Sequence, residues 1–145
     1  MVSPAPALPP VAPRVVTHGP RDKKRIAITF DACSTGTPTR IDAGIIDLLV
    51  TQRVPATLFL GGKWMEDHPE ETRRVAGHPH FELANHSFLH PHMTKVPPAR
   101  VHEELAWTQD VLYSLTGRRA TLFRPPYGEV DERLSRLAAG QGLVT

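Results

Sequence analysis

The chain has 145 residues, 40% hydrophobic and 22% charged, the balance of an ordinary globular domain. Lys+Arg 17 against Asp+Glu 15 leave a net charge of +2, so the pI near 9.0 reflects a small excess, and no Lys/Arg cluster argues for nucleic acid. A single cysteine, Cys33, excludes a disulfide framework within the chain, and no apolar run approaches the ~20 residues of a membrane-crossing helix.

The opening MVSPAPALPPVAP holds five prolines in thirteen residues. It has neither the charged n-region nor the continuous apolar h-region of a signal peptide. Residues 1–20 read as an extended tail or linker, and residues 21–145 as the folded part. The apolar run from Arg25 predicts a buried strand that stops at one carboxylate, Asp31. After the loop STGTPT, Thr39 is placed to cap a helix running to about Arg53, with Ile41, Ile45, Ile46, Leu48 and Leu49 at helical spacing. Val54-Pro55 ends it, and ATLFL (56–60) is a second strand closed by Gly61-Gly62.

A helix is expected over Pro69–Ala76, since Pro in the first turn loses no hydrogen bond. Phe81–Asn85 is a third strand, followed by the loop HSFLHPHMTKVPP. Residues 99–117 form the clearest helix, with Val101, Leu105, Trp107, Val111, Leu112 and Leu115 on its buried face and Gly117 as its stop. ATLF (120–123) is a fourth strand, Asp131–Ala139 a further helix, and LVT (143–145) the start of a fifth strand. Strand and helix thus alternate, the pattern of an α/β protein with a parallel sheet or barrel. A full barrel takes ~250 residues, so the chain reads as a partial domain. An open sheet of four or five strands is the competing architecture.

Ligands of such folds bind at the C-terminal strand ends. Here those ends carry Asp31, then Asn85, His86 and His90, then Arg124 and Tyr127. On a helical turn, His86 and His90 would share a face and chelate one metal. Taken alone, the spacing fits exposed or hydrogen-bonded histidines better than a metal site, and Ser87 stands where a zincin would have Glu. His92 is either a third donor or solvated. RPPYG is either a rigid corner on which Tyr127 packs, or a device aiming Arg124 at a carboxylate with a backbone N–H near Tyr127 free for an oxyanion. Asp31 has its own plain reading as a cap for the STGTPT loop, and Cys33 reads as a small buried apolar residue.

ITFDAC, NHSFLH and FRPPYG, in that order, resemble the first three motifs of the polysaccharide deacetylases, the NodB-homology carbohydrate esterases. The likeness runs from about Val16 to Thr145 and includes VPATLFLGGKW and FELANH. It implies an α/β fold, part of a distorted (β/α) barrel, and metal-assisted removal of N- or O-acetyl groups from a polysaccharide such as peptidoglycan or chitin-like oligomers. By position it makes Asp31 the general base, His86 and His90 the metal ligands, and Arg124 the residue that holds the base. Arg124, Pro126 and Tyr127 would meet the substrate, with the Tyr127 N–H at the oxyanion. The implied cofactor is a divalent metal, zinc first, with cobalt or nickel also suited to imidazole.

The partner is a carbohydrate polymer, the expected state a monomer, and the expected location the cell envelope or exterior. The family's second motif-one Asp, a metal ligand, is replaced by Ala32, which predicts weak metal binding. Because a strand alternates faces, Cys33 is not assigned that position. The family's later motifs, an Asp pairing the arginine and a His protonating the leaving amine, are not in these residues. A non-catalytic carbohydrate-binding relative with a degenerate metal site is the alternative. A third reading, a binding domain with a structural metal, is disfavoured by Ala32.

Overall fold

Strand β2 (Ala56–Leu60) is the centre of the sheet, and its ends follow from its neighbours in sequence. Pro55 has no N–H to extend the ladder, and Gly61 turns the chain into a helix. The computed structural model describes residues 4–34, 36 and 39–145, so the first three residues of the Pro-rich tail and parts of the STGTPT loop lie outside the described residues.

β2 pairs in parallel with β1 (Thr29–Ala32) on one side and β3 (Phe81–Asn85) on the other. The register sets Asp31 opposite Phe59, and Leu60 opposite Asn85, so the strand tips align at one end. Beyond β3 the parallel order continues through the bridges Asn85–Phe123 and Leu122–Val144. Spatial order follows chain order without reversal. A doubly wound sheet reverses at a switch point, whereas a barrel does not. The architecture is the parallel α/β arrangement of part of a (β/α) barrel.

Several expected boundaries move. β1 begins at Thr29 rather than Arg25 because Pro55 offers no donor. The Ile28 carbonyl takes the last bond, from Thr57 N–H at 3.0 Å, and Ile26 is 87% exposed. Helix α1 spans Ala43–Thr51 and is capped by Asp42, which accepts from Ile45 N–H at 3.1 Å. Thr39 is not the cap: its hydroxyl donates to the Cys33 carbonyl at 2.8 Å, and its carbonyl accepts from Trp64 Nε1 at 3.0 Å. A short helix α2 (Gly62–Asp67), not anticipated, precedes α3 (Pro69–Ala76), which has the expected bounds. The expected strands at 120–123 and 143–145 are reduced to single bridges.

Helix α4 (Pro98–Thr116) ends as expected at Gly117, whose φ of 67° is left-handed. α5 (Glu132–Gly140) is capped by Asp131, which accepts from Leu134 N–H at 2.7 Å. The core is one contiguous cluster built on Leu58, Leu60, Trp64, Phe81, Leu83, Leu105, Leu112, Phe123 and Leu134. Trp107 does not join it: 41% exposed, it meets Phe88 edge-on at 5.8 Å and lies under Arg100 at 5.5 Å. The buried helical position belongs instead to Glu104, which is fully buried. The Pro-rich segment lies against α4, α5 and the last residue: Ala5 N–H donates to Asp110 at 2.6 Å, Val11 N–H to Ala139 at 2.9 Å and Val16 N–H to Thr145 at 2.7 Å.

Candidate active site

Alternation along β1 divides its side chains. Ile28, Phe30 and Ala32 pack against the core, while Thr29 and Asp31 turn to the other face, as a period of two requires. Arg124 meets them there. Its Nη1 donates to Asp31 Oδ1 at 2.6 Å and its Nη2 to Thr29 Oγ1 at 2.9 Å. The arginine is placed by backbone: its N–H donates to the Asn85 carbonyl at 3.0 Å, and its guanidinium carbon lies 4.0 Å from the centroid of the Phe59 ring. Thr29, absent from the expected site, is thus a second anchor for Arg124. Its position two residues before Asp31 was the available signal.

The histidine pair does converge, but not on a helix. His86 and His90 have ring centroids 5.0 Å apart at 66°, brought together by a loop in which Ser87 and His90 adopt left-handed φ of 64° and 58°. Such backbone is costly for residues with a Cβ and persists where surroundings over-determine it. Here the surroundings are specific. Asn85 Oδ1 accepts from Ser87 N–H at 2.9 Å, and Ser87 Oγ accepts from His90 N–H at 3.2 Å. Glu104 Oε2 accepts from both Phe88 and Leu89 N–H groups at 2.7 Å, and Arg100 holds its other oxygen at 2.6 Å. Gly62 lets this loop approach α2: a Cβ there would stand 2.1 Å from the Phe88 ring. Glu104 is a positioning residue missed in the sequence. Its signal was a carboxylate on the helical stripe of Val101, Leu105 and Thr108.

His86 is 3% exposed. Its Nδ1 lies 2.8 Å from the Arg124 carbonyl, which only accepts, so that nitrogen carries the proton. Nε2 therefore keeps its lone pair, 3.9 Å from Asp31 Oδ2. Desolvation pushes the pKa of both His86 and His90 below that of free imidazole, against smaller opposing contributions from the backbone and Asp31. Burial thus favours the neutral form of both rings, the form that can ligate a metal. Nδ1 of His90 is buried without a hydrogen-bond partner among the described residues. Orphaned imidazole nitrogens beside a carboxylate fit a divalent metal with nitrogen affinity.

Tyr127 also has left-handed backbone, with φ of 60°, in a single turn over Pro126–Gly128. Its N–H donates to no backbone carbonyl among the described residues. Pro126 is buried, while Tyr127 is 59% exposed, its ring 4.7 Å from His90 and stacked on His92 at 4.2 Å. His92 bonds Glu129 at 3.0 Å through Nδ1, and it is not in the group of close donor atoms that contains His86 and His90. Cys33 is half-buried just past β1, not a core residue. Burial, and then Asp31, push its thiol pKa up. An apolar cleft of about 200 Å³ runs from Asp31 and Cys33 to Ile45 and Trp64.

Residues 18–145 match the family described as polysaccharide deacetylase, and the chain belongs to that family. It is 32% identical over 126 residues to a peptidoglycan-N-acetylglucosamine deacetylase of Bacillus cereus, a match spanning 87% of this chain and 44% of that protein. A family 4 carbohydrate esterase from Bacillus anthracis superimposes with a TM-score of 0.78 at 30% identity, covering 87% of this chain and 59% of the other. A CE4 family pseudoenzyme from the same organism gives 0.79 at 21% identity over 92% and 47%, a likeness of fold alone. The chain thus spans about half the length, or less, of relatives it matches.

Proposed function

We propose that these residues form part of the active site of a metal-dependent deacetylase acting on an N-acetylated polysaccharide. The observation that carries this reading is the clamp of Asp31 by Arg124 at 2.6 Å, with the free nitrogen of His86 at 3.9 Å from the other carboxylate oxygen. His86 and His90 are the residues that would hold the metal. When bound there, a divalent ion would polarise the acetyl carbonyl and acidify a water.

The chain's own groups do the rest. Asp31 takes the proton from the attacking water, its Oδ1 bonded to Arg124 and its Oδ2 toward the histidines. The guanidinium keeps that carboxylate oriented through its second bond to Thr29. The Tyr127 N–H is a preformed donor for the oxyanion that develops on the acetyl oxygen. The similarity to a peptidoglycan-N-acetylglucosamine deacetylase supports a cell-wall polymer as substrate, and with it a site of action outside the cytoplasm. Ala32 favours a second reading, a carbohydrate-binding relative without turnover, because its methyl cannot ligate.

Acetate release from an N-acetylglucosamine oligomer by the full-length gene product separates the two. The deacetylase reading expects turnover that a chelator abolishes and zinc or cobalt restores. Saturable oligomer binding with no acetate released at any metal concentration would establish the second.

A further inference from the structure

We propose that Cys33 is the third metal ligand, its thiolate completing a Cys33–His86–His90 set where the family's aspartate is replaced by Ala32. This inference rests on the metal-dependent reading above.

The donor atoms of Cys33, His86 and His90 lie within 4.8 Å of one another. Zinc bonds of about 2.3 Å to sulfur and about 2.0–2.1 Å to nitrogen put tetrahedral donors about 3.3–3.6 Å apart. Small side-chain torsions at Cys33 and His90, which are only partly buried, would close that difference. Strand alternation places Cys33 on the face of Thr29 and Asp31. The position that shares a face with Thr29 and Asp31 is 33, not 32, and Ala32 packs against the core.

The backbone at Cys33 is also held. Its carbonyl accepts from Thr39 Oγ1 at 2.8 Å. Gly61 closes on it from β2, where a Cβ would meet Ala32 O at 3.3 Å and Cys33 Cα at 3.4 Å. The cysteine does not stand alone as evidence. His86 is 3% exposed, its Nδ1 is engaged by the Arg124 carbonyl, and its Nε2 has no hydrogen-bond partner among the described residues. Nδ1 of His90 is likewise buried and unpartnered. His92, the other candidate donor, is committed to Glu129.

On binding, the Sγ–H proton passes to solvent and the sulfur lone pair forms the metal bond. One thiolate and two neutral imidazoles leave a fourth tetrahedral position open, the arrangement of catalytic rather than structural zinc. Asp31 stays outside the set and remains available as base.

The test is titration of cobalt(II) into the chelator-stripped chain, followed by absorption spectroscopy. As the chain's single cysteine, Cys33 is the one possible source of a thiolate-to-cobalt charge-transfer band in the near ultraviolet. The proposal expects that band in the parent and its loss in Cys33→Ser. Zinc affinity should fall at least about 10-fold in that variant, the loss seen even for outer-shell partners. Cys33→Asp should recover affinity without the band, which shows that the position, and not the fold, was altered. Zinc should also protect the parent thiol from alkylation.

Visible cobalt bands that require His86, with no charge-transfer band, would overturn the role of Cys33 and leave the metal-dependent reading intact. Absence of cobalt binding altogether would overturn both.

Discussion

Replacing Asp31 by Asn lowers kcat/KM for acetate release by about 100- to 10,000-fold, the range for loss of a positioned general base. The amide is isosteric, and its oxygen can still accept from Arg124, which now bonds Asp31 Oδ1 at 2.6 Å. Fold and metal affinity are therefore expected to survive while proton abstraction is lost. The check is steady-state kinetics of the full-length gene product beside a zinc titration of the same variant. The effect should fall on kcat, because Asp31 accepts its proton in the transition state and contributes little to holding the sugar. Turnover within about twofold of the parent would remove Asp31 from the role of base.

The second large effect is on the scaffold. Glu104→Ala removes the acceptor for the N–H groups of Phe88 and Leu89 and leaves a void in the core where a fully buried side chain stood. Stranded donors and a lost buried ion-pair partner together cost about 2–5 kcal/mol. For a chain of this size that is a fall of roughly 5–15 °C in Tm, readable by circular dichroism. Zinc affinity should fall with it, because those two N–H bonds hold the turn that carries His90. Glu104→Gln, which keeps an acceptor oxygen and the volume, should lie between parent and Ala. A melting curve unchanged in Glu104→Ala would show that the loop is held by other contacts.

Much of this was legible in the chain. β2, α3 and β3 have clear boundaries because Pro55, Gly61 and Pro69 punctuate them, and FELAN alternates only at its start, as a strand covered on both faces does. The convergence of Asp31, His86, His90, Arg124 and Tyr127 followed from strand ends meeting at one rim. What was not legible depends on partners distant in sequence. Ile26, Ala27 and Ile28, just before β1, look as apolar as the strand itself, and only the missing Pro55 donor shows where pairing stops. Trp107 and Glu104 sit three apart on one helix with reversed burial, since an acid can be buried where a turn supplies backbone donors. At their spacing the two histidines would share a face on a helical turn, whereas in the loop Ser87 and His90 take left-handed φ enforced by Asn85 and Glu104. Cys33 reads as a small apolar residue in the sequence, yet it stands half-buried past the end of β1 with its donor atom within 4.8 Å of those of His86 and His90.

The decisive property of these strand ends is whether they make one metal site. The most direct measurement is isothermal titration of zinc into the chelator-stripped chain, beside His86→Ala and His90→Ala. The expected result is one zinc per chain in the parent, with binding lost in both variants while His90→Ala keeps the parent fold by circular dichroism. No zinc binding in the parent, or binding indifferent to both histidines, would contradict it.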